Sequence, residues 1–259
     1  MTQAPSTLVN EPAWVDLSSS DAQASRDFYS GLFGWTADVN PDPQYGGYAM
    51  AKIGDHDVAG IGPTQTPGQP TAWNVYIGTD DVESLATRVQ DAGGTVVAAP
   101  FDVGDQGRMA VFQDPSGAFI SAWQPTAMGG FEIGSANAYG WAELSARGLD
   151  PDIPFYGQVF GWTTRTSDMG EDQPPYTEFL LDGRSIAGAM EMNPMVPAQV
   201  PSYWLVYFSV DDVDEAYGKA IAGGAQETLA PGDFPGGRFA ILTDPQGAAF
   251  GLLKLSEPR

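Results

Sequence analysis

The sequence predicts an α+β protein of two domains built from four βαβββ modules. Two observations carry this. The stretch Phe28-Tyr29-Ser30-Gly31-Leu32-Phe33-Gly34-Trp35 returns as Phe155-Tyr156-Gly157-Gln158-Val159-Phe160-Gly161-Trp162, 127 residues later (155 minus 28), so a unit of domain size is written twice. Within each half a strand–helix–strand order runs twice, and the second run carries the turn Asp114-Pro115-Ser116-Gly117 or its copy Asp244-Pro245-Gln246-Gly247.

Residues 1–11 are polar and read as a flexible lead-in. The first domain, 12–125, opens with the strand-like run Trp14 to Leu17. Asp21 then N-caps a helix with Phe28, Tyr29, Leu32 and Phe33 on its buried face, and Gly34 ends it. Tyr48 to Ile53 and Asp57 to Ile61 are predicted strands broken by Gly54-Asp55, and the stretch from Pro63 to Pro70 links to the second module. That module starts at Trp73 to Ile77. Asp80 or Asp81 caps a helix with Val82, Leu85 and Val89 on one stripe, which ends at Gly93-Gly94; strands follow at Thr95 to Ala98, Arg108 to Gln113 and Ala118 to Trp123.

A linker, 126–137, carries Gly129-Gly130 and leads to the second domain, 138–256. There Trp141 to Leu144 matches the first strand, Asp150-Pro151 begins a helix, and Gly183 marks the hairpin before Ile186 to Met190. Trp204 to Phe208, Asp211-Asp212-Val213 and Gly223-Gly224 repeat the second module, with Trp204 offset from Trp73 by 131 (204 minus 73). How the four modules pair, and whether the chain is a monomer or a homodimer, stay open.

With 259 residues and 42% apolar content the chain can bury full cores. A net charge of -22, from 11 basic and 33 acidic side chains, opposes nucleic acid and anionic membranes as partners. The absence of cysteine excludes disulfides and thiolate metal sites. No apolar run approaches the roughly 20 residues of a membrane span, and Met1 to Asn10 lacks signal-peptide regions, so a soluble, cytoplasmic protein is expected.

The F-Y-x-x-x-F-G-W helix end, the D-D-V helix closing in Gly-Gly and the G-R-x-A…D-P-x-G strand pair resemble the vicinal oxygen chelate superfamily. That superfamily contains glyoxalase I, the bleomycin and fosfomycin resistance proteins and extradiol dioxygenases. The resemblance runs from about Pro12 to Leu255. It is closer to the tandem two-domain actinobacterial members labelled glyoxalase/bleomycin resistance protein or hydroxylase, some of which accompany aromatic polyketide pathways. It implies curved, cup-shaped mixed sheets, and in metal-dependent members a divalent ion held by His, Gln or Glu from the first and last strands of each module. Here the matching positions are Trp14, Asn74, Ser121 and Gly60 or Ile61, then Trp141, Leu205, Gly251 and the run Gly188 to Met190. None of these is a good divalent-metal ligand, so neither a metal nor another cofactor is expected.

If Trp14 faces into the cup, strand alternation puts Asp16 on the same face, and the repeat does the same with Trp141 and Glu143. A carboxyl desolvated beside an indole suits general acid or base work; the competing reading is that both carboxyls hold strands together through hydrogen bonds. By the same logic Asn74 with Tyr76, Ser121 with Trp123, and Leu205 with Tyr207 are candidate ligand contacts. Tyr45, Tyr48, Tyr176, Met190 and Met192 lie near the rims, where core packing is the competing reading. His56, the single histidine, falls in a hairpin turn and has Arg184 as its repeat partner. Arg108 and Arg238 match each other; they are candidate anchors for an anionic ligand group, but their recurrence favours structural pairing with acidic neighbours, and both Asp-Pro-x-Gly sequences read as turns alone. P-loop, dinucleotide, zincin and Ser/His/Asp motifs are missing from the sequence.

The function expected is metal-free binding of a hydrophobic, aromatic small molecule, for sequestration or to assist natural-product tailoring. Whether the chain is an enzyme stays open. The alternatives are a metal-free acid/base or hydroxylation-assisting enzyme using Asp16 and Glu143, a metal-dependent glyoxalase or dioxygenase using Asp16, Glu143 or His56, and a two-domain interaction scaffold.

Overall fold

The structure, a computed structural model, describes residues 8–128, 131–169 and 174–256; Met1 to Thr7 of the expected lead-in and Gly129-Gly130 of the expected linker lie outside them. The first module comprises β1 (Pro12–Ser19), α1 (Ala22–Phe33), β2 (Thr36–Val39), a short 3-10 helix (Pro43–Tyr45), β3 (Ala49–Ile53) and β4 (His56–Pro63). The second has β5 (Ala72–Gly78), α2 (Val82–Asp91), β6 (Thr95–Val103), β7 (Gly107–Gln113) and β8 (Phe119–Pro125). In the third, β9 (Tyr139–Ala146) and α3 (Asp152–Phe160) precede β10 (Thr163–Ser167), β11 (Tyr176–Leu181) and β12 (Arg184–Glu191). The fourth contains β13 (Tyr203–Ser209), α4 (Val213–Ala222), β14 (Gln226–Phe234), β15 (Gly237–Thr243) and β16 (Ala249–Leu255).

These strands make two mixed eight-stranded sheets, in the orders β2-β3-β4-β1-β5-β8-β7-β6 and β10-β11-β12-β9-β13-β16-β15-β14. The α+β fold of four βαβββ modules is therefore the one observed. In each module the first and last strands run parallel, with Asp16 opposite Gly60 and Tyr207 opposite Gly251, while the outer strands pair antiparallel. Among the described residues no helix is long and apolar enough to cross a membrane.

Local chemistry sets the helix ends. Asp21 accepts from the Ala24 N–H at 3.0 Å, and Gly34 closes α1 in the left-handed region at φ 72°, where glycine carries no Cβ penalty. Asp81 rather than Asp80 caps α2, accepting from Ser84 N–H at 3.0 Å. Helix α3 starts at Asp152 after Pro151, which offers no side-chain cap. Strands β2 and β10, which the βαβββ order requires, were not located in the sequence, and β6 runs on to Val103 instead of ending at Ala98.

The chain groups into two compact units. One is Val15–Asn74, Phe131–Trp141 and Leu205–Arg259, and holds α1 and α4. At its centre the fully buried Tyr29 stacks on Trp35, with ring centroids 5.7 Å apart, and meets Trp73 edge-on at 5.2 Å. Its hydroxyl donates to Asp244 Oδ2 at 3.0 Å and accepts from Trp73 Nε1 at 2.8 Å. Trp35 Nε1 donates to the Asn137 carbonyl at 2.7 Å, and Asn137 itself sits in the left-handed region at φ 65°.

The other unit is Met1–Trp14, Val75–Gly130 and Ala142–Trp204, holds α2 and α3, and repeats the arrangement. Tyr156 stacks on Trp162 at 5.2 Å, donates to Asp114 Oδ2 at 2.8 Å and accepts from Trp204 Nε1 at 2.9 Å. Trp162 Nε1 donates to the Asn10 carbonyl at 2.6 Å, with Asn10 at φ 60°. Asn10 is thus anchored within the stretch read as a lead-in. The Asp-Pro-x-Gly sequences are more than turns: Asp114 and Asp244 are buried acceptors for the tyrosine of the repeated motif. Burial raises both carboxyl pKa values, while the hydroxyl and backbone N–H donors around them oppose the rise.

The two units differ at a buried position beside the motif tyrosine. Asp152 is fully buried, and its Oδ1 accepts from Ser116 N–H at 3.0 Å while Oδ2 has no hydrogen-bond partner. Ser25 stands at the matching place in α1, bonded to Ser19 and Gln246. Burial first, then the neighbouring Asp114 charge, push the Asp152 carboxyl up to about 7 from 3.8. The folded state therefore binds this proton more tightly than the unfolded chain does. Its stabilising effect is undiminished below about pH 4 and is lost as pH rises to about 7, by roughly 4 kcal/mol at most. Asp152→Ser is expected to flatten unfolding free energy between pH 5 and 8, measured by urea titration; an unchanged slope would refute this assignment.

Candidate functional site

Around Asp16, on β1, a polar cluster forms within the unit that holds α1 and α4. Asp16 Oδ1 accepts from Asn74 Nδ2 at 2.8 Å, and Oδ2 accepts from the Tyr48 hydroxyl at 3.2 Å. Asn74 Nδ2 also donates to Ser18 Oγ at 3.1 Å. Asp16 is 8% exposed, whereas Tyr48 and Asn74 are half-buried. The carboxyl is satisfied by side chains of neighbouring elements, which fixes its position and leaves it an acceptor at the polar end of an otherwise apolar strand.

The tyrosine reaches Asp16 because β4 carries glycine at two alternating positions. A Cβ at Gly60 would overlap the Tyr48 hydroxyl, and one at Gly62 would stand 2.8 Å from the ring. Neither Ser18 nor the pair Gly60 and Gly62 as a shelf was expected from the sequence. The available signal was glycine inside a strand, which marks close approach of another group.

In the same unit Tyr207 lies against Gly251, where an added Cβ would overlap the ring, and packs edge-on to Phe239 at 6.4 Å. Leu205 and Trp141 are buried. The side chain at the expected last-strand metal position is thus absent, and an aromatic ring fills its place.

The unit that holds α2 and α3 contributes Tyr76, Ser121 and Trp123, all buried, with Tyr76 opposite Ser121 in the parallel β5–β8 pair. The Trp123 ring rests against Gly107, where a Cβ would meet it at 2.6 Å. Its indole N–H is buried and has no hydrogen-bond partner, an unmet donor in a set of expected ligand contacts. Trp14 is also buried in this unit.

Glu143 lies opposite Gly188 in this unit and is half-buried. Tyr203 bonds Ser145, and burial followed by the Glu143 charge raises the phenol pKa against that hydrogen bond. Tyr176 stands opposite Met190, which takes the register place that Gly62 has in β4. The structure therefore gathers Asp16, Tyr48 and Asn74 into one cluster, and in the other repeat Leu205 stands where Asn74 does, so the amide contact to the carboxyl has no counterpart there. Tyr45 is half-buried in the 3-10 helix and Met192 is buried just after β12.

Among the described residues no three His, Cys, Asp or Glu side chains gather as a metal-binding set. His56 is exposed at the start of β4, its Nδ1 3.8 Å from Glu132 Oε2, and its counterpart Arg184 pairs with Glu11. Arg108 bonds Glu83 and Asp102, and Arg238 bonds Asp214 and Asp233, each at 2.8–2.9 Å, so both arginines close ion pairs on exposed strand surfaces. A divalent ion does not fit these donors: the tryptophans, Leu205, Gly60 and Gly251 offer no side-chain ligand.

The family model of the glyoxalase/bleomycin resistance protein/dioxygenase superfamily matches residues 12–121 and 139–252. The chain is 40% identical over 249 residues to "Putative glyoxylase CFP32" of Mycobacterium bovis, covering 94% of each chain. It is 38% identical over 261 residues to "Anthracycline biosynthesis protein DnrV" of Streptomyces peucetius, covering 95% of this chain and 94% of that protein. Among solved structures, the 2,3-dioxygenase LapB from Pseudomonas sp. KL28 superposes with a TM-score of 0.66 at 16% identity, over 98% of this chain and 95% of that one. The Mn(II)-bound glyoxalase from Novosphingobium aromaticivorans gives 0.64 at 16% identity, over 98% and 87%. At these identities the structural likeness concerns the fold.

Proposed function

The chain belongs to the glyoxalase/bleomycin resistance protein/dioxygenase superfamily, and from that premise we propose that it binds a hydrophobic, aromatic small molecule without a metal ion. The observation that carries the proposal is the exchange of chemistry at the ligand positions. Where a divalent ion would need carboxylates or imidazoles, this chain has Trp14, Trp141, Leu205 and glycines covered by Tyr48 and Tyr207. Planar apolar side chains with a few polar groups, Asp16 and Asn74 in one unit and Ser121 with the unmet Trp123 N–H in the other, each suit a flat ligand with a few polar substituents. In this reading Asp16 accepts a hydrogen bond and orients the ligand. The domain boundaries 12–125 and 138–256, joined by 126–137, belong to the same proposal, and both family matches fall inside them.

A second reading has Asp16 act as a base on the bound molecule, during modification of an aromatic natural product. The relative named for anthracycline biosynthesis favours it. Both readings need the ligand first. Titrating the full chain with a panel of hydroxylated aromatics is expected to quench tryptophan fluorescence saturably for at least one class. A flat response across the panel would refute binding. Asp16→Asn then separates the readings: orientation alone leaves any turnover reduced, whereas base catalysis loses it.

A further inference from the structure

We infer that Tyr48 is a built-in occupant of a phenol-binding cradle in the first module, and that the ligand carries a phenolic ring that takes its place. This rests on the proposed binding of an aromatic molecule and names its recognised group. Gly60 and Gly62 lie two residues apart on β4 and so face the same side, making a shelf one ring wide with no side chain on it. Asp16 Oδ2 stands at the end of the shelf as the acceptor for a ring hydroxyl, and Asn74 holds the other carboxyl oxygen at 2.8 Å.

The intrachain occupant is a poor fit in two respects. Its hydrogen bond to Asp16 is 3.2 Å, long for an O–H···O contact, which is commonly about 2.7–2.8 Å. Its side chain is half-buried and follows Gly46-Gly47, at φ 59° and 84°, a pair of backbone positions where glycine permits rearrangement that other residues resist. The Tyr48 backbone is held by its N–H bond to the Tyr45 carbonyl and by the Asn40 N–H on its own carbonyl, so the ring leaves the shelf by side-chain rotation while those bonds and β3, which begins at Ala49, stay in place.

The second repeat has no such shelf. Met190 occupies the register place of Gly62, and Leu205 replaces Asn74. The cradle as built from Gly60, Gly62, Asp16 and Asn74 therefore belongs to the first repeat.

The side chain of tyrosine is p-cresol, which makes the test direct. Calorimetric titration of full-length Tyr48→Ala with p-cresol is expected to give one site, at least tenfold tighter than wild type, and a raised melting temperature. Toluene, which lacks the hydroxyl, is expected to bind at least tenfold more weakly, as loss of a hydrogen bond to a carboxylate implies. Equal affinity of p-cresol for wild type and Tyr48→Ala, or equal affinity of toluene and p-cresol, would overturn the inference. Should Tyr48→Ala not fold, Tyr48→Phe keeps the ring and drops only its tether to Asp16. It should bind p-cresol about tenfold tighter than wild type, and equal affinity overturns the inference. If the aromatic panel quenches wild type while p-cresol fails these tests, the cradle alone is wrong. If p-cresol fills Tyr48→Ala while the panel is silent, the cradle stands and the binding function falls.

Discussion

Tyr156→Ala is expected to lower the free energy of unfolding by about 3–5 kcal/mol, the scale set by truncating a large aromatic at the centre of a core. The ring is fully buried, stacks on Trp162 at 5.2 Å and meets Trp204 and Phe179 at 5.5 Å and 5.1 Å, so truncation leaves a cavity walled by rigid aromatics that cannot collapse into it. Its hydroxyl also serves two groups. Asp114 Oδ2 would lose its donor at 2.8 Å and Trp204 Nε1 its acceptor at 2.9 Å. Tyr156→Phe isolates that share: the ring stays, and the expected cost is about 1–3 kcal/mol for the polar groups left buried without partners. Tyr29→Phe should cost a similar amount, because Trp73 and Asp244 flank Tyr29 in the same way. Guanidinium unfolding monitored by far-UV circular dichroism checks all three. A loss below 1 kcal/mol for Tyr156→Ala would show that the motif is not the structural centre of its unit.

Gly251→Ala is expected to destabilise the fold by about 3 kcal/mol, the upper part of the range for overpacking a buried site. The added methyl would overlap the Tyr207 ring, which is 4% exposed and packed on Phe239, so either the ring or β16 must move. The double variant Gly251→Ala with Tyr207→Ala should recover part of the loss, since the clash disappears with the ring; that coupling is the signature of direct contact. Additive losses in the double variant would show that the two positions do not meet.

The modular order was legible because its signals are local. Asp21, Gly34 and the Phe28, Tyr29, Leu32, Phe33 stripe announce one helix completely, and the same letters recur at Phe155 to Trp162. Strands β2 and β10 escaped because they are exposed edge strands: Thr36 to Val39 and Thr163 to Ser167 show no buried alternation, only pairing to a neighbour. The partners of the motif tyrosines escaped for a different reason. Asp244 is 215 residues from Tyr29, and no periodicity reports a hydrogen bond over that distance. A signal did exist, in that Tyr29 and Asp114 recur together as Tyr156 and Asp244, and a buried hydroxyl needs an acceptor.

The candidate site was half legible. The family resemblance pointed to Asn74 and Ser121, and strand alternation from there to Asp16, Tyr76 and Trp123, but both treated the two repeats as equals. The three-dimensional arrangement was needed to show that Tyr48 reaches Asp16 across Gly60. Single-residue differences, Gly62 against Met190 and Asn74 against Leu205, separate the repeats while leaving the strand pattern intact.

The most direct test of the central claim, an aromatic ligand bound without metal, is the affinity of the tightest hydroxylated aromatic from the panel, measured on chelator-dialysed protein and again after adding Mn(II), Fe(II) or Zn(II). The predicted result is saturable binding to the stripped protein, an affinity unchanged by any of the three ions, and at least a tenfold loss in Asp16→Ala. Binding that vanishes on chelation and returns with a stoichiometric ion would contradict it.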